Sequence, residues 1–214
     1  MAITTYAELQ SAVSNWLARS YDSARVQEFI ALGEAELNRR LRIREMETSA
    51  DLTLVSGTRT VALPTGYLEM IRLYLDGTPV RALEYFPPID YWVRYMATQT
   101  SKPKAYTIEG ENITFGPTPD SGYTGKILYY AGLDVLSDSN TTNAWLTKFP
   151  DMLLAASLRA AWLFKGDDME QVLKWTAELD RCLAQAEKQN KRDRVSGAPL
   201  VIRTDTGNPP AARP

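Results

Sequence analysis

Apolar residues recur every three or four positions near the start of the chain, which predicts a pair of helices within residues 1–44. Thr5 precedes the first helix, and Glu8 follows at the spacing of a capping box. The second helix is expected to begin after Asp22 or Ser23. Its apolar stripe consists of Val26, Phe29, Ile30, Gly33, Leu37 and Leu41. Because a glycine inside a helix costs about 1 kcal/mol relative to alanine, its place in this stripe predicts close packing against another helix.

The apolar period shortens to two within residues 45–143, where short runs separated by turn residues predict an antiparallel β-hairpin domain. Ser56-Gly57 and Asp76-Gly77 are expected to join two pairs of successive strands as hairpins. The predicted strands are 51–55, 58–63, 67–75, 78–83, 105–108, 113–115 and 123–131.

Helical spacing returns within residues 144–193, after a polar loop over 132–143. One helix is predicted to start at Pro150 and to stop at Gly166, and a longer helix runs on to about Arg192. We expect this helix pair to pack on the N-terminal pair, so that the β domain is inserted into a helical bundle. The predicted fold class is therefore α+β.

The composition changes again in residues 194–214, which we call the arm. Its last 20 residues include four Pro and two Gly, a composition typical of an extended or disordered segment. A β-prone apolar triplet lies within it, and such a segment can add as a strand or fill a groove on a partner. The candidate partner-binding residues are Pro199, Leu200, Val201, Ile202 and Arg203. Packing of this triplet on its own chain is the alternative.

Composition excludes much catalytic chemistry. The 214 residues include no histidine and one cysteine, Cys182, which excludes Ser-His-Asp and Cys-His nucleophiles, histidine metal sites and an intrachain disulfide. Hydrophobic residues make up 44% of the chain, enough for a core without disulfides. Neither a secretory signal nor a membrane-spanning run is apparent, so we expect an intracellular protein with no cofactor and no membrane partner.

Carboxylate pairs are the remaining candidates for acid–base catalysis, but their surroundings favour solvated faces. Glu34/Glu36, for example, has no neighbouring apolar run that would raise the pKa of one carboxyl selectively. No pair of carboxylates in the sequence therefore supports a carboxylate-based hydrolase. Cys182 is interpreted as a small hydrophobic residue, because no histidine is present to activate its thiol.

Two basic clusters raise the alternative of a nucleic-acid-binding protein. The first consists of Arg39, Arg40, Arg42 and Arg44. The second, at the end of the last predicted helix, consists of Lys188, Lys191, Arg192 and Arg194. Glu45 and Glu47 follow the first cluster, and 24 Lys+Arg against 26 Asp+Glu give the chain a net charge of −2. A solvated, channel-lining or intersubunit face is therefore favoured for the first cluster.

An ordered set of motifs resembles the adaptor (head-to-tail connector) proteins of tailed bacteriophages, particularly those with short tails. The motifs are ETSADLTL at 47–54, Gly57, VALP at 61–64, the Asp76-Gly77 hairpin, GPTP at 116–119, Tyr129-Tyr130, LSDSNTTNAWL at 136–146 and Pro150-Asp151. An Ala-rich helix, an acidic turn and a long charged helix complete the pattern, which covers most of residues 1–193.

The resemblance implies a structural protein of the virion at the head–tail junction, present in the host cytoplasm during assembly. Such adaptors form a homo-oligomeric ring, commonly dodecameric, beneath the portal protein. Tail (nozzle or tube) proteins attach below, and DNA only passes through the channel. Their extended C-terminal arm typically docks against the portal, a role that the triplet at 200–202 fits. No enzymatic activity is expected.

Overall fold

The α+β fold class is confirmed by the computed structural model, which describes residues 3–18, 21–77, 79–95, 99–166 and 168–195. The helices are α1 Tyr6–Leu17, α2 Ser23–Arg40, α3 Pro88–Arg94, α4 Ala144–Lys148, α5 Pro150–Lys165 and α6 Met169–Val195, with a 3-10 turn at Arg44–Met46. The strands are β1 Glu47–Leu54, β2 Thr60–Ala62, β3 Tyr67–Leu75, β4 Arg81–Ala82, β5 Glu84–Tyr85, β6 Ala105–Glu109, β7 Asn112–Gly116 and β8 Tyr123–Ala131.

Helices α1, α2 and α6 each pack through an apolar stripe, whereas α5, which lies between α2 and α6, is buried on all sides over residues 152–158. The predicted capping box begins α1: the Thr5 hydroxyl accepts a hydrogen bond from the Glu8 amide at 3.3 Å, and the Glu8 carboxylate accepts one from the Thr5 amide at 3.0 Å. Fully buried members of this core include Leu9, Val13, Phe29, Ile30, Leu37, Leu153, Leu158 and Leu179. Each such side chain contributes about 1.5–3 kcal/mol on burial.

The predicted close helix packing occurs where α2 crosses α5. A Cβ atom added to Gly33 would stand 3.1 Å from both the amide nitrogen and the hydroxyl of Ser157, and 3.3 Å from the Ala156 carbonyl carbon. These distances are tighter than ordinary van der Waals contacts, so the absence of a side chain lets the two backbones approach. Gly33 therefore sets the separation of α2 and α5.

Two four-stranded sheets make up the β domain, in the orders β1-β8-β3-β4 and β2-β7-β6-β5. β8 is central in the first sheet and antiparallel to both neighbours. The hairpin predicted at Asp76-Gly77 is present as β3–β4, and the predicted strands 105–108 and 113–115 pair as the hairpin β6–β7. β5 differs from the antiparallel prediction, since it pairs with β6 in parallel over two residues. The shared core includes Leu52, Leu54, Leu73, Leu75, Ile113, Phe115 and Ile127.

The predicted hairpin between the first two strands is wrong. β1 pairs along its whole length with β8, from Glu47 opposite Tyr130 to Leu54 opposite Tyr123, and β2 pairs with β7 in the other sheet. The turn at Gly57 exists, with φ at +78°, but its amide donates to the Pro119 carbonyl at 2.8 Å. This bond directs the chain into the second sheet instead of back along β1.

The C-terminal helices match the prediction except for one short addition. α5 has the predicted bounds and ends at Gly166, which has a φ of +73°. α4 was not expected; the Asn143 side chain caps it by accepting a hydrogen bond from the Leu146 amide at 3.0 Å. α6 extends to Val195, three residues beyond its predicted end.

The helical bundle and the β domain meet at a shared apolar junction. Met46, from the 3-10 turn, and Tyr130, from β8, are both buried in the core of the bundle. An ion pair of 3.2 Å between Arg42 and Glu69 joins the same two parts of the chain. The β domain is therefore anchored directly on the bundle.

Candidate interaction surfaces

Two of the four arginines in the first basic cluster pair with acids far away in the sequence. Arg40 forms ion pairs of 2.6 Å with Asp180 on α6 and 3.3 Å with Glu36 on its own helix. Arg42 pairs with Glu69 on β3. These two side chains link elements of the fold, so half of the cluster is already neutralised by acidic partners.

Arg39 and Arg44 are exposed, and neither forms an ion pair within the described residues. The second basic cluster lies beside the first because the Asn190 side-chain amide donates to the Arg42 carbonyl at 2.6 Å. Its exposed described members are Lys188, Lys191 and Arg192. The structure thus brings two clusters about 150 residues apart in sequence to one end of α6.

The interpretation of Glu36 as part of a solvated face is wrong. Its carboxylate accepts hydrogen bonds from Arg40 at 3.3 Å and from Arg159 on α5 at 2.7 Å. Arg159 also donates to the Thr176 hydroxyl on α6 at 3.1 Å. Glu36 therefore belongs to a polar network that joins α2, α5 and α6.

Glu34 is also not solvated, because only 3% of its surface is exposed. One carboxylate oxygen accepts hydrogen bonds from the Asn143 side-chain amide at 2.6 Å and from the Leu136 amide at 3.2 Å. Burial raises the pKa of the Glu34 carboxyl, and these two hydrogen bonds oppose the shift. Glu34 thereby fastens the loop before α4 to α2, a structural role.

Cys182 is buried on α6, as its interpretation as a small hydrophobic residue requires. Its sulfur lies 3.5 Å from a carboxylate oxygen of Asp151. Burial, followed by the charge of Asp151, raises the pKa of the Cys182 thiol to about 11. A thiol that stays protonated at neutral pH is a poor nucleophile.

An arginine in the β domain fixes α3 on its sheet, a role that no local sequence pattern predicts. The Arg59 guanidinium donates to the Tyr91 hydroxyl at 3.0 Å and to the Tyr95 carbonyl at 2.8 Å, and it lies 5.0 Å from the centroid of the Trp92 ring. Tyr91 itself is fully buried. The inner face of α3 is therefore held rigidly by aromatic and polar contacts.

The opposite face of α3 is apolar and exposed, and we call it the α3 face. Ile89 and Val93 lie four residues apart on one side of the helix and are 83% and 74% exposed. Tyr85, on the preceding strand, is half exposed. Large apolar side chains clustered on a surface are typical of protein–protein contact sites.

A second group of exposed apolar side chains, the bundle-end face, lies at the end of the bundle where α5 leads into α6. Leu163 and Phe164 come from the last turn of α5, and Met169 and Leu173 from the first turns of α6; all four are at least half exposed, and the Phe164 ring also packs on Phe29 of α2. The short connection after Lys165 keeps these turns at the same end of the bundle. The bundle and the β domain therefore each carry an apolar surface.

An apolar groove of about 600 Å³, the α1 groove, runs along the first helix. Its lining residues are Ile3, Ala7, Glu8, Ser11, Ala12, Asn15, Trp16 and Leu154. Trp16 also forms an edge-to-face contact with Trp175 of α6, with 5.4 Å between the ring centroids. That contact marks the end of the groove at which α1 meets α6.

The five candidate residues of the arm, Pro199, Leu200, Val201, Ile202 and Arg203, lie outside the described residues, as does the side chain of Arg194. Their predicted role as a partner-binding segment thus remains a prediction from the sequence. Within the part of the chain that the structure describes, no helix is both long and apolar enough to cross a bilayer. The same part contains no group of three or more His, Cys, Asp or Glu placed to hold a metal ion.

Exposed apolar surfaces on two parts of the chain that share a core are typical of a protein that binds other proteins. Comparison with protein families gives the particular class: residues 4–203 match the family model of the SU10 adaptor protein. The chain therefore belongs to the SU10 adaptor protein family, and the resemblance to bacteriophage head-to-tail adaptors is confirmed. It is a bacteriophage adaptor, a structural protein of the virion. A search of curated proteins gives no match.

Proposed function

We propose that this adaptor forms a homo-oligomeric, dodecameric ring at the head–tail junction, beneath the portal protein. The ring joins the portal to the tail (nozzle or tube) protein and continues the channel through which DNA passes. The arm, centred on Leu200, Val201 and Ile202, holds the portal. The protein acts by binding its neighbours and has no catalytic step.

One observation carries the proposal: the protomer has two unlike apolar surfaces on two parts that share a core. The α3 face lies on the β domain, and the bundle-end face lies on the helices. Head-to-tail contacts in a closed ring need two different surfaces on each subunit, whereas a two-fold dimer needs a single self-complementary one. The apolar character of both surfaces supports their burial on assembly.

Nucleic-acid binding by the two basic clusters has weaker support. Arg40 and Arg42 already pair with Asp180, Glu36 and Glu69, which reduces the positive charge left for phosphates. The exposed Arg39 and Arg44 fit a channel-facing or intersubunit position. DNA accordingly enters the proposal only as the molecule that passes through the ring.

The ring is tested by the mass of the complex that the adaptor forms with the portal protein of the same phage. Ile89→Asp places a charge at the centre of the α3 face, where the exposed side chain has no folding role. We expect the unmodified protein to form a high-mass complex with the portal and Ile89→Asp to form little of it. Mass photometry measures both.

Thr58→Asp, at an exposed turn position outside both apolar surfaces, is the control and should assemble like the unmodified protein. Equal assembly by Ile89→Asp would remove the α3 face from the interface. A complex whose mass corresponds to a single adaptor subunit on a complete portal would contradict the ring itself.

A further inference from the structure

We propose that, in the free protomer, the arm triplet Leu200-Val201-Ile202 lies in the α1 groove of its own chain. The inference rests on the proposed function only in its consequence, that the groove and the portal compete for the same three side chains. Three features support this triplet as the occupant of the groove: the shape of the groove, the length of chain beyond α6, and chemical complementarity.

The α1 groove suits a short apolar segment. Ile3, Leu154 and Trp16 supply apolar surface, while Ala7 and Ala12 leave room because their side chains are small. About 600 Å³ is within the range of pockets that hold small ligands, and three aliphatic side chains fit such a space. The groove is therefore large enough for the triplet and apolar enough to bind it.

The length of the arm brings the triplet to the level of this groove. The sulfur of Cys182 on α6 lies 3.5 Å from a carboxylate oxygen of Asp151, at the start of α5. Leu154, which lines the groove, follows Asp151 by about one turn of α5 and therefore lies near the level of Cys182. Val195 lies thirteen residues after Cys182, a helical rise of about 20 Å. An extended chain covers about 3.3 Å per residue, so roughly six residues after Val195 span the same distance back. The sixth residue is Val201, the centre of the triplet.

The residues around the triplet also match the groove and the return path. Ser196-Gly197 directly follows α6, and glycine permits the chain to reverse direction there. Arg203 follows the triplet, and Glu8 lies on the groove wall with an exposed carboxylate. An ion pair between Arg203 and Glu8 would fix the direction of the docked segment. The arm, with three Arg and one Asp, carries a net charge of +2.

Docking on its own chain keeps the triplet of the arm covered until the portal protein is present. A β-prone apolar triplet exposed in the free protein would pair with other chains and promote aggregation. The groove covers the triplet until a portal surface of higher affinity displaces it. Because the groove is part of the same chain, its effective concentration reaches the millimolar range, so a weak contact suffices.

The test is competition by a fluorescent peptide of residues 196–208, measured by anisotropy on full-length proteins. In the unmodified protein the native arm occupies the groove, so the peptide should bind weakly. In a full-length variant with Leu200, Val201 and Ile202 all changed to Ser, the groove is free. We expect this variant to bind the peptide at least ten-fold more tightly than the unmodified protein.

A matched pair of substitutions identifies the site. Ala7 and Ala24 are each the exposed second residue of a helix, but only Ala7 lines the α1 groove. Added to the triple-Ser variant, Ala7→Arg should abolish peptide binding, and Ala24→Arg should leave it unchanged. Equal peptide binding by the unmodified and triple-Ser proteins, or equal effects of the two arginine substitutions, would overturn the proposal.

Light scattering separates docking on the same chain from docking on a neighbour. A monomer at all protein concentrations supports the proposal, and association that the triple-Ser change removes would overturn it in favour of exchange between chains. Failure of this proposal would leave the proposed function standing, since an arm that never enters the groove can still hold the portal.

Discussion

Glu34 is a buried carboxylate whose two hydrogen-bond donors only partly offset the cost of burying its charge. Its pKa is raised by burial, so the folded protein binds a proton at this group more readily than the unfolded chain does. The contribution of Glu34 to stability is therefore fully present below its ordinary pKa. It is lost as the pH rises through the raised value.

Glu34→Gln should remove this pH dependence. We expect the free energy of unfolding of the variant to increase relative to that of the unmodified protein as the pH rises from below 4.5 to neutral, since glutamine has no proton to lose. Urea unfolding at several pH values measures the difference. Glu187→Gln, on the exposed side of α6, is the control, and a pH-independent difference for Glu34→Gln would contradict the account.

Cys182 should behave as a buried apolar residue and not as a reactive thiol. Burial and the neighbouring Asp151 raise the pKa of its thiol to about 11, so at pH 8 the folded protein holds it protonated. We expect a thiol-specific reagent to label Cys182 at least 100-fold more slowly in the folded protein than in concentrated guanidinium chloride. Similar labelling rates in the two states would show that the α5–α6 interface opens readily.

Single residues were predictable where the signal is local. The capping box of Thr5 and Glu8 needs only two positions three residues apart, and it forms as expected. Glu34 was misinterpreted although a local signal existed, because it follows Ile30 by four residues and precedes Leu37 by three, on the apolar stripe of α2. Arg42 had no such signal, since its acidic partner is on a different element.

At the scale of elements, the α2–α5 crossing depends on Gly33. Gly33→Val should lower the free energy of unfolding by about 1–3 kcal/mol, because the added methyl groups force the backbones at Ala156 and Ser157 apart. Chemical denaturation measures the loss. Ala31→Val, on the exposed side of the same helix, controls for the presence of a β-branched residue in α2 and should cost only about 0.5 kcal/mol.

A loss no greater for Gly33→Val than for Ala31→Val would contradict the close packing of these helices. A larger loss would support Gly33 as the residue that sets their separation. Both substitutions keep the charge and the length of α2. Because valine is a better helix former than glycine, helix propensity alone would stabilise Gly33→Val, so a loss in that variant arises from the contact with α5.

Elements were predicted well where their ends carry chemical signals. Pro150 and Gly166 mark the ends of α5, and Asp76-Gly77 marks the turn between β3 and β4, all within a few neighbouring residues. The pairing of β1 with β8 was not predictable in this way, because about 70 residues separate the two strands. The turn at Gly57 was recognised, but a hydrogen bond to the distant Pro119 decides where it leads.

At the scale of the whole molecule, the β domain and the helical bundle share a core, and each carries its own apolar surface. The junction at Met46 and Tyr130 fixes the β domain on the bundle, so the α3 face and the bundle-end face keep a constant relation. The C-terminal part of α6 lies beside the end of α2, where the Asn190 side chain donates to the Arg42 carbonyl at 2.6 Å, and the arm follows α6 in the sequence. This arrangement is compatible with the proposed ring contacts through the body and the proposed portal contacts through the arm.

The central claim is that the arm holds the portal, and a pull-down on immobilised portal protein of the same phage tests it most directly. The full chain is compared with a deletion of residues 195–214 and with the triple-Ser variant of 200–202, after circular dichroism has verified that each is folded. We predict that the portal retains the full chain and loses both variants. Retention of the deleted protein at the level of the full chain would contradict the account.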